Sequence, residues 1–133
     1  MAKADKIGEA MARLRKDGIR YVRFEQTDLH GTSRSKLVPL DAVEGYARKG
    51  LNFYGGVIAL DTASHVVPGT GLHEEINYRD TLLFPDFDTL VRVPWMADTA
   101  KVICDLHHLD GSLVGGGPRS VLKALLAEAA ALG

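Results

Sequence analysis

Hydrophobic and polar residues follow two different periods in the first part of this 133-residue chain. Ile7, Met11 and Leu14 lie four and three residues apart among charged side chains, and Gly18 follows them. This pattern predicts an amphipathic helix that ends at the glycine. The next segment, IRYVRFEQTD, alternates apolar and charged residues, which is the period of a half-buried strand.

Turn residues and a second helical pattern come next. The segment TDLHGT predicts a turn, because Asp28 and Gly31 tolerate the backbone conformations that turns require. SRSKLVPL then predicts a second strand, so that the two strands form a hairpin. In LDAVEGYARKG, Asp41 is in position for an N-cap with Glu44 three residues later. We therefore predict a short second helix that ends at Gly50.

The pattern changes over residues 51–81, which hold several glycines and one apolar stretch, VIALD. A connection of this length inside a small domain is more often functional than idle. Beyond it we predict one strand around Thr89 to Val93 and another in KVICDLHHLDG, which ends in an Asp-Gly turn. The predicted order is helix, strand, strand, helix, long loop, strand, strand, helix. A β-grasp-like α+β fold, in which a sheet clasps one helix, buries these elements economically.

The last sixteen residues, PRSVLKALLAEAAALG, predict a third helix. Pro118 suits a first helical position, and Gly133 is placed to end the helix. The apolar residues recur at the spacing of one helical face; they are Leu122, Leu125, Leu126, Ala129 and Leu132. Such a face is expected to pack against a partner surface.

Composition narrows the functional class. Hydrophobic residues make up 46% and charged residues 25% of the chain, and the formal net charge is −1. This balance is that of an ordinary globular protein, with no charge excess to attract nucleic acid or anionic lipid. The single cysteine allows no intrachain disulfide, and neither a secretory signal nor a membrane-spanning run is recognisable. We expect a cytoplasmic domain with no nucleic-acid or membrane partner.

The candidate metal ligands show no useful spacing. His107 and His108 are adjacent on a predicted strand, so their side chains point to opposite faces. The other histidines show no ligand spacing with Cys104 or with each other; they are His30, His65 and His73. We expect all five to be surface residues or polar residues with their hydrogen bonds satisfied, Cys104 to be a small buried side chain, and no metal site. GGG at 115–117 fits no phosphate-binding motif and is interpreted as a hinge.

Four segments together resemble the N-terminal domain of the glutamine synthetase family. TDLHGTSRSKLVP is similar to its early hairpin, and VICDLHHLDG and GPRSVLKALL are similar to the strand and helix that lead into its catalytic domain. The family's Asp-x-x-Leu-x-Pro-Asp-x-x-Thr segment is matched in register by Asp80, Leu83, Pro85, Asp86 and Thr89.

The resemblance implies a division and a function. Residues 1–112 would be the β-grasp domain, and residues 113–133 a linker and the first helix of an absent catalytic domain. The family joins the γ-carboxylate of glutamate to ammonia or another amine with ATP, using Mg²⁺ or Mn²⁺ held by glutamates that would follow Gly133. Its subunits form homo-oligomeric rings, in which a loop of one N-terminal domain closes the neighbour's active site. The isolated fragment is then expected to be inactive and to bind no cofactor.

The loop that the resemblance implies departs from the family's common Phe-Asp-Gly-Ser-Ser. This chain has Phe53, Tyr54, Gly55, Gly56 and Val57, so that a phenol replaces the acid that helps to bind ammonium and to accept its proton. A phenol with a pKa of about 10 is a poor base at neutral pH.

Three alternatives stay open. Asp61, the nearest acid, is a candidate for the missing base, and the amine is either ammonia or a larger amine such as an alkylamine or polyamine. The third alternative is a stand-alone β-grasp module, without catalysis, that docks a protein on its last helix.

A further departure from the family pattern is Gly116-Gly117, where the family usually has an Asp. This departure removes a helix N-cap worth about 1 kcal/mol.

Overall fold

A computed structural model describes residues 3–133 of the chain, with side chains from Lys6 onward. The helices are α1 (Lys3–Lys16), α2 (Leu40–Lys49) and α3 (Pro118–Leu132). The strands are β1 (Tyr21–Thr27), β2 (Ser33–Pro39), β3 (Leu51–Tyr54), β4 (Asp80–Pro85), β5 (Val91–Arg92) and β6 (Thr99–His107). Short 3-10 helices cover Gly55–Ala59, Glu74–Ile76 and Phe87–Thr89.

The strands form one mixed sheet in the order β2-β1-β6-β4-β3, and β5 pairs with β6 off this path. β1 runs parallel to β6, with Tyr21 opposite Thr99 and Phe24 opposite Val102. β5 is antiparallel to β6, with Val91 opposite Lys101. The predicted α+β class is therefore confirmed.

The chain divides into two compact units. The first comprises the chain up to Glu25, Ser35–Leu51 and Leu83–Cys104. The second comprises Gln26–Arg34, Asn52–Leu82 and Asp105–Gly133.

The core of the first unit is apolar. It is built from the predicted face of α1, from β1 and from α2, where Val43 and Ala47 are buried and Tyr46 is exposed. The fully buried side chains include Leu14, Val22, Phe24, Val43, Leu83, Val93, Val102 and Cys104. Cys104 is the small buried side chain that we expected.

The ends of α1 and α2 test the predicted caps. Gly18 and Gly50 have positive φ values of 67° and 85°, which confirms both as helix stops. The predicted N-cap Asp41 is wrong, because α2 begins at Leu40 and extended Pro39 holds the N-cap position without a side-chain hydrogen bond. The Leu40 amide donates to the Arg20 carbonyl at 2.9 Å, so that this amide is already satisfied.

Two strand predictions are also corrected. Of the strand predicted around Thr89 to Val93, only Val91–Arg92 forms a strand. The residues before it, Phe87–Thr89, form a 3-10 turn in which the Thr89 hydroxyl donates to the Asp86 carbonyl at 2.7 Å. The long loop predicted over residues 51–81 includes β3 at its start and the first residues of β4 at its end. Both are short, so periodicity alone gave no signal for them.

Candidate functional site

The segment Phe53–Asp61 begins as the end of β3 and continues as the 3-10 helix Gly55–Ala59. All five residues of this 3-10 helix are buried, and the Phe53 carbonyl accepts a hydrogen bond from the Thr81 hydroxyl at 3.0 Å. All of these residues belong to the second unit. The segment that resembles the family's loop is therefore a packed part of the fold.

Close packing explains the two glycines. A Cβ atom at Gly55 would lie 2.7 Å from the Thr81 Cγ2 atom. A Cβ atom at Gly56 would lie 2.5 Å from both the His73 Nδ1 atom and the Tyr54 hydroxyl oxygen. Neither glycine has a positive φ, so the requirement is for space. Serine at position 56 would collide with this pair of side chains.

Tyr54 and His73 form the centre of the site. The Tyr54 hydroxyl and the His73 Nδ1 atom share a hydrogen bond, and their ring centroids are 5.9 Å apart. The Tyr78 ring lies 6.1 Å from the Tyr54 ring on a tilted plane. His73 is only 1% exposed, and its Nε2 atom has no partner among the described residues. The expectation of a surface or fully hydrogen-bonded histidine is therefore wrong for His73.

The surroundings of Tyr54 keep its phenol protonated. Burial raises the pKa of Tyr54, and the nearby Tyr78 and Glu75 raise it further. The hydroxyl at this position is thus uncharged at neutral pH and available as a hydrogen-bond donor and acceptor.

A tight turn orients His73. The Glu75 carboxylate accepts from the Gly69 amide at 2.9 Å and from the His73 amide at 3.3 Å, and the Tyr78 amide donates to the His73 carbonyl at 2.8 Å. Asn77 and Tyr78 both have left-handed φ values, which close this turn. A cavity of about 240 Å³ lies beside it, lined by Val66, Pro68, His73, Glu74, Glu75 and Tyr78.

The hairpin turn after β1 supports the segment through Asp28. This carboxylate is 1% exposed and accepts from the amides of His30 at 3.0 Å and Thr32 at 2.9 Å. It also binds the Arg34 guanidinium at 2.9 Å, and Arg34 donates to the Ser64 hydroxyl at 3.0 Å. Within the same turn, the Leu29 amide donates to the carbonyl of Ile58 in the 3-10 helix at 3.0 Å.

Asp61 lies in a turn of its own. Its carboxylate accepts from the amides of Ala63 and His65, each at 2.8 Å, and lies 3.4 Å from the His65 ring. The hydrogen bond from the His65 amide lowers the pKa of Asp61 most. Burial acts in the opposite direction, and with the hydrogen bond from Ala63 the net pKa lies below its ordinary value. Among the described residues, no hydrogen bond joins Asp61 to Tyr54. The structure thus groups Tyr54 and Gly56 with His73, which no spacing in the sequence had indicated, while Gly55 packs against Thr81.

Helix α3 presents its apolar face to solvent. Pro118 is at its start and Gly117 is the N-cap without a side-chain hydrogen bond, as the sequence predicts. Asp105 of β6 binds Arg119 at 2.9 Å and Lys123 at 2.8 Å and so fixes one side of the helix. The exposed apolar side chains are Val121, Leu122, Leu125, Leu126 and Leu132.

The described part of the chain holds neither a grouped set of metal ligands nor a helix suited to crossing a bilayer. Among those residues, no three His, Cys, Asp or Glu side chains are grouped to hold a metal ion. These residues do not fit the Mg²⁺ or Mn²⁺ that the resemblance implies. None of the described helices is long and apolar enough to cross a bilayer.

Similarity searches find relatives that are much longer than this chain. The chain is 34% identical over 133 residues to human lengsin (Homo sapiens), covering 96% of this chain and 24% of lengsin. It is 33% identical over 124 residues to glutamate–isopropylamine ligase of Pseudomonas sp., with coverages of 90% and 27%. For glutamine synthetase of Rhizobium meliloti (strain 1021), the identity is 34% over 117 residues, with coverages of 87% and 24%. The chain thus spans about a quarter of each of these proteins, and it matches no family profile.

Solved structures agree with these relatives. A GmaS/ADP complex superimposes with a TM-score of 0.72 at 31% identity, covering 91% of this chain and 25% of that one. A novel glutamine synthase homolog superimposes with a TM-score of 0.69 at 27% identity, covering 80% of this chain and 25% of the other.

Proposed function

Because the chain belongs to the glutamine synthetase family, we propose that it is the N-terminal domain of a ligase that joins glutamate to an amine with ATP. In this proposal the segment Phe53–Asp61 closes the active site of a neighbouring subunit in a homo-oligomeric ring in the cytoplasm. Residues 1–112 are the β-grasp domain, and residues 113–133 lead into the catalytic domain, which supplies the sites for ATP and for Mg²⁺ or Mn²⁺.

The observation that carries the proposal is the packing of Tyr54 and Gly56. A rigid, buried support is what a closing segment needs in order to exclude water from a reactive acyl phosphate. The collision expected of a Cβ atom at Gly56 indicates that this support tolerates little change. Tyr54 sits on it where the family's common loop has an acid.

The amine is proposed to be larger than ammonia. Tyr54 is uncharged and only half-buried, so that its ring offers an alkyl group contact area and offers ammonium no charge, whereas Val57 is buried as apolar support. Similarity to a relative named for isopropylamine supports the same direction.

The exposed face of α3 fits the same proposal. Its leucines, each more than half exposed, would be covered by the catalytic domain. The same face favours a second candidate function, a stand-alone module that docks a protein there. Ligase activity of the polypeptide that contains this chain separates the two, because a docking module would show none.

The main test assays that polypeptide with glutamate, ATP and a panel of amines from ammonia to polyamines. Tyr54→Asp restores the common acid and is expected to shift relative kcat/KM toward ammonia by about 10-fold to 100-fold. Tyr46→Asp, at an exposed tyrosine of α2, is the matched control and should leave the preference unchanged. A preference that Tyr54→Asp does not move would contradict the role of this segment in amine choice.

A mixing experiment tests the shared active site. One variant carries Gly56→Trp, which disrupts the closing segment, and the other carries an inactivated catalytic domain. Each alone should be inactive. In a head-to-tail ring assembled at random from equal amounts of both variants, about a quarter of the sites should be active. Each active site needs an intact catalytic domain from one subunit and an intact closing segment from its neighbour. Mixed rings as inactive as the parents would exclude closure in trans.

A further inference from the structure

The unpartnered Nε2 atom of buried His73 is the observation that the proposed function leaves unexplained. Buried polar atoms in proteins are nearly always hydrogen-bonded, and an exception asks for a reason. His73 also lines the cavity of about 240 Å³ beside the turn that orients it. Its other ring nitrogen is occupied by the Tyr54 hydroxyl.

The Tyr54–His73 hydrogen bond can run in either direction, because the proton of a neutral imidazole lies on one of its two nitrogens. If the Tyr54 hydroxyl donates to Nδ1, the ring proton of His73 is on Nε2. If Nδ1–H instead donates to the Tyr54 oxygen, the phenol proton points away from His73. A relay from Tyr54 to His73 requires the first arrangement, and the tautomer of His73 tests it.

In this arrangement the Tyr54 oxygen becomes a better acceptor. A hydroxyl that donates one hydrogen bond accepts another more strongly, since chained hydrogen bonds polarise one another. The donor that the proposed function brings to this oxygen is the ammonium group of the amine.

We propose that Tyr54 and His73 form a proton relay that takes a proton from the attacking amine. This inference rests on the proposed function. The ammonium N–H bond breaks and its proton binds the Tyr54 oxygen, while the phenol proton moves to Nδ1 of His73. The products are a neutral amine nucleophile, an unchanged phenol and an imidazolium, so that one proton and one positive charge have moved. The imidazolium is reset when it returns the proton to water.

The charges around the relay suit this transfer. Glu75 accepts a hydrogen bond from the His73 amide, and Glu74 lines the same cavity. Both carboxylates can offset the charge of an imidazolium. Tyr78 and Glu75 are the titratable groups that act on Tyr54 from this side. His73 is thus a positioning and proton-accepting residue that acts on the amine only through Tyr54.

The first experiment uses this chain alone. Correlation of the His73 ring nitrogens with carbon-bound ring protons by NMR should show Nδ1 as an unprotonated acceptor and Nε2 as protonated. Tyr54→Phe removes the donor to Nδ1 and should give a mixture of tautomers. A wild-type ring protonated on Nδ1 at neutral pH would overturn the relay, because the phenol could not then donate to it.

The second experiment uses the ligase polypeptide. His73→Gln keeps an acceptor for the Tyr54 hydroxyl but cannot take up a proton, and it should lower kcat about 100-fold or more with KM for glutamate unchanged. In this variant, the decrease of kcat toward low pH that reports proton uptake by the relay should disappear. Tyr54→Phe, which removes only the hydroxyl, should cost about as much, and the double variant no more than either single one.

The outcomes separate the relay from the proposed function. Wild-type activity with amines, combined with an unchanged kcat and pH profile in His73→Gln, would overturn the relay and leave the ligase proposal standing. Absence of amine ligation in the wild type would overturn the ligase proposal and the catalytic role of the relay. The tautomer measured in the isolated chain would still establish or exclude the hydrogen-bond direction on which the relay depends.

Discussion

In the first unit the fully buried side chains are nearly all apolar, whereas in the second unit the two largest are charged or polar, Asp28 and His73. The first unit is stabilised by the area that α1, β1 and α2 bury, which is a non-directional effect. The second unit holds its turns through carboxylates that accept backbone amides, as at Asp28, Asp61 and Glu75. A core stabilised by apolar burial tolerates substitutions of similar volume, whereas a turn stabilised by directional hydrogen bonds depends on the identity of each side chain.

Truncation of the apolar core should have the largest effect. Phe24 is fully buried in β1, and Phe24→Ala is expected to lower the free energy of unfolding by about 3–5 kcal/mol through lost burial and a residual cavity. Urea unfolding followed by circular dichroism measures this. Leu122→Ala on the exposed face of α3 is the control and should change stability by less than about 0.5 kcal/mol. Equal costs would show that α3 is part of a core.

In the second unit, loss of the Asp28 carboxylate should have the effect on stability that corresponds to Phe24→Ala in the first. Asp28→Ala leaves the amides of His30 and Thr32 and the Arg34 guanidinium without their acceptor, which should cost about 1.5–3 kcal/mol. Amide hydrogen exchange should show the loss first in the turn that follows β1. Asp28→Asn keeps one acceptor oxygen and should recover part of the protection; protection as low as in Asp28→Ala would assign the effect to the charge alone.

The same contrast explains what the sequence could predict. The buried face of α1 and the helix-ending glycines follow from local periodicity and backbone preference, and these predictions held. The site did not follow in this way. Tyr54 and His73 are nineteen residues apart and meet because a turn built on Glu75 brings them together. No period encodes such a contact, and its only trace in the sequence was the pair Gly55-Gly56.

Substitution of Gly56 tests whether the site is as tightly packed as the first unit's core. The added Cβ atom of Gly56→Ala would lie 2.5 Å from His73 Nδ1 and from the Tyr54 oxygen, and overpacking of this kind costs about 1–3 kcal/mol. Gly115→Ala is the matched control, since its Cβ atom would meet nothing within 4 Å. Equal melting temperatures of the two variants would show that the pair moves aside freely.

Lowering the pH should reveal a difference in stability between the two units without any substitution. Burial acts to raise the pKa of Asp28, but hydrogen bonds from Thr32, Arg34 and His30 outweigh it and hold the pKa below the ordinary 3.8. A carboxyl with a lowered folded-state pKa stabilises the fold above its unfolded pKa, and this stability is lost as the pH falls through the folded value. Below pH 3.8 the turn amides should therefore lose protection before those of Val22 and Phe24. Simultaneous loss would indicate one cooperative unit.

The smallest expected effect is a gain of stability in the first unit. Gly45 lies exposed in the middle of α2, with no positive φ and nothing within 4 Å of an added Cβ atom. Gly45→Ala should stabilise the protein by about 0.5–1 kcal/mol, because alanine loses less backbone entropy in a helix. The urea midpoint should rise with an unchanged m-value. Gly56→Ala makes the same chemical change but is expected to lower the stability, so the two variants compare helix propensity with side-chain packing. A loss of stability in both would show that α2 also faces a tight neighbour.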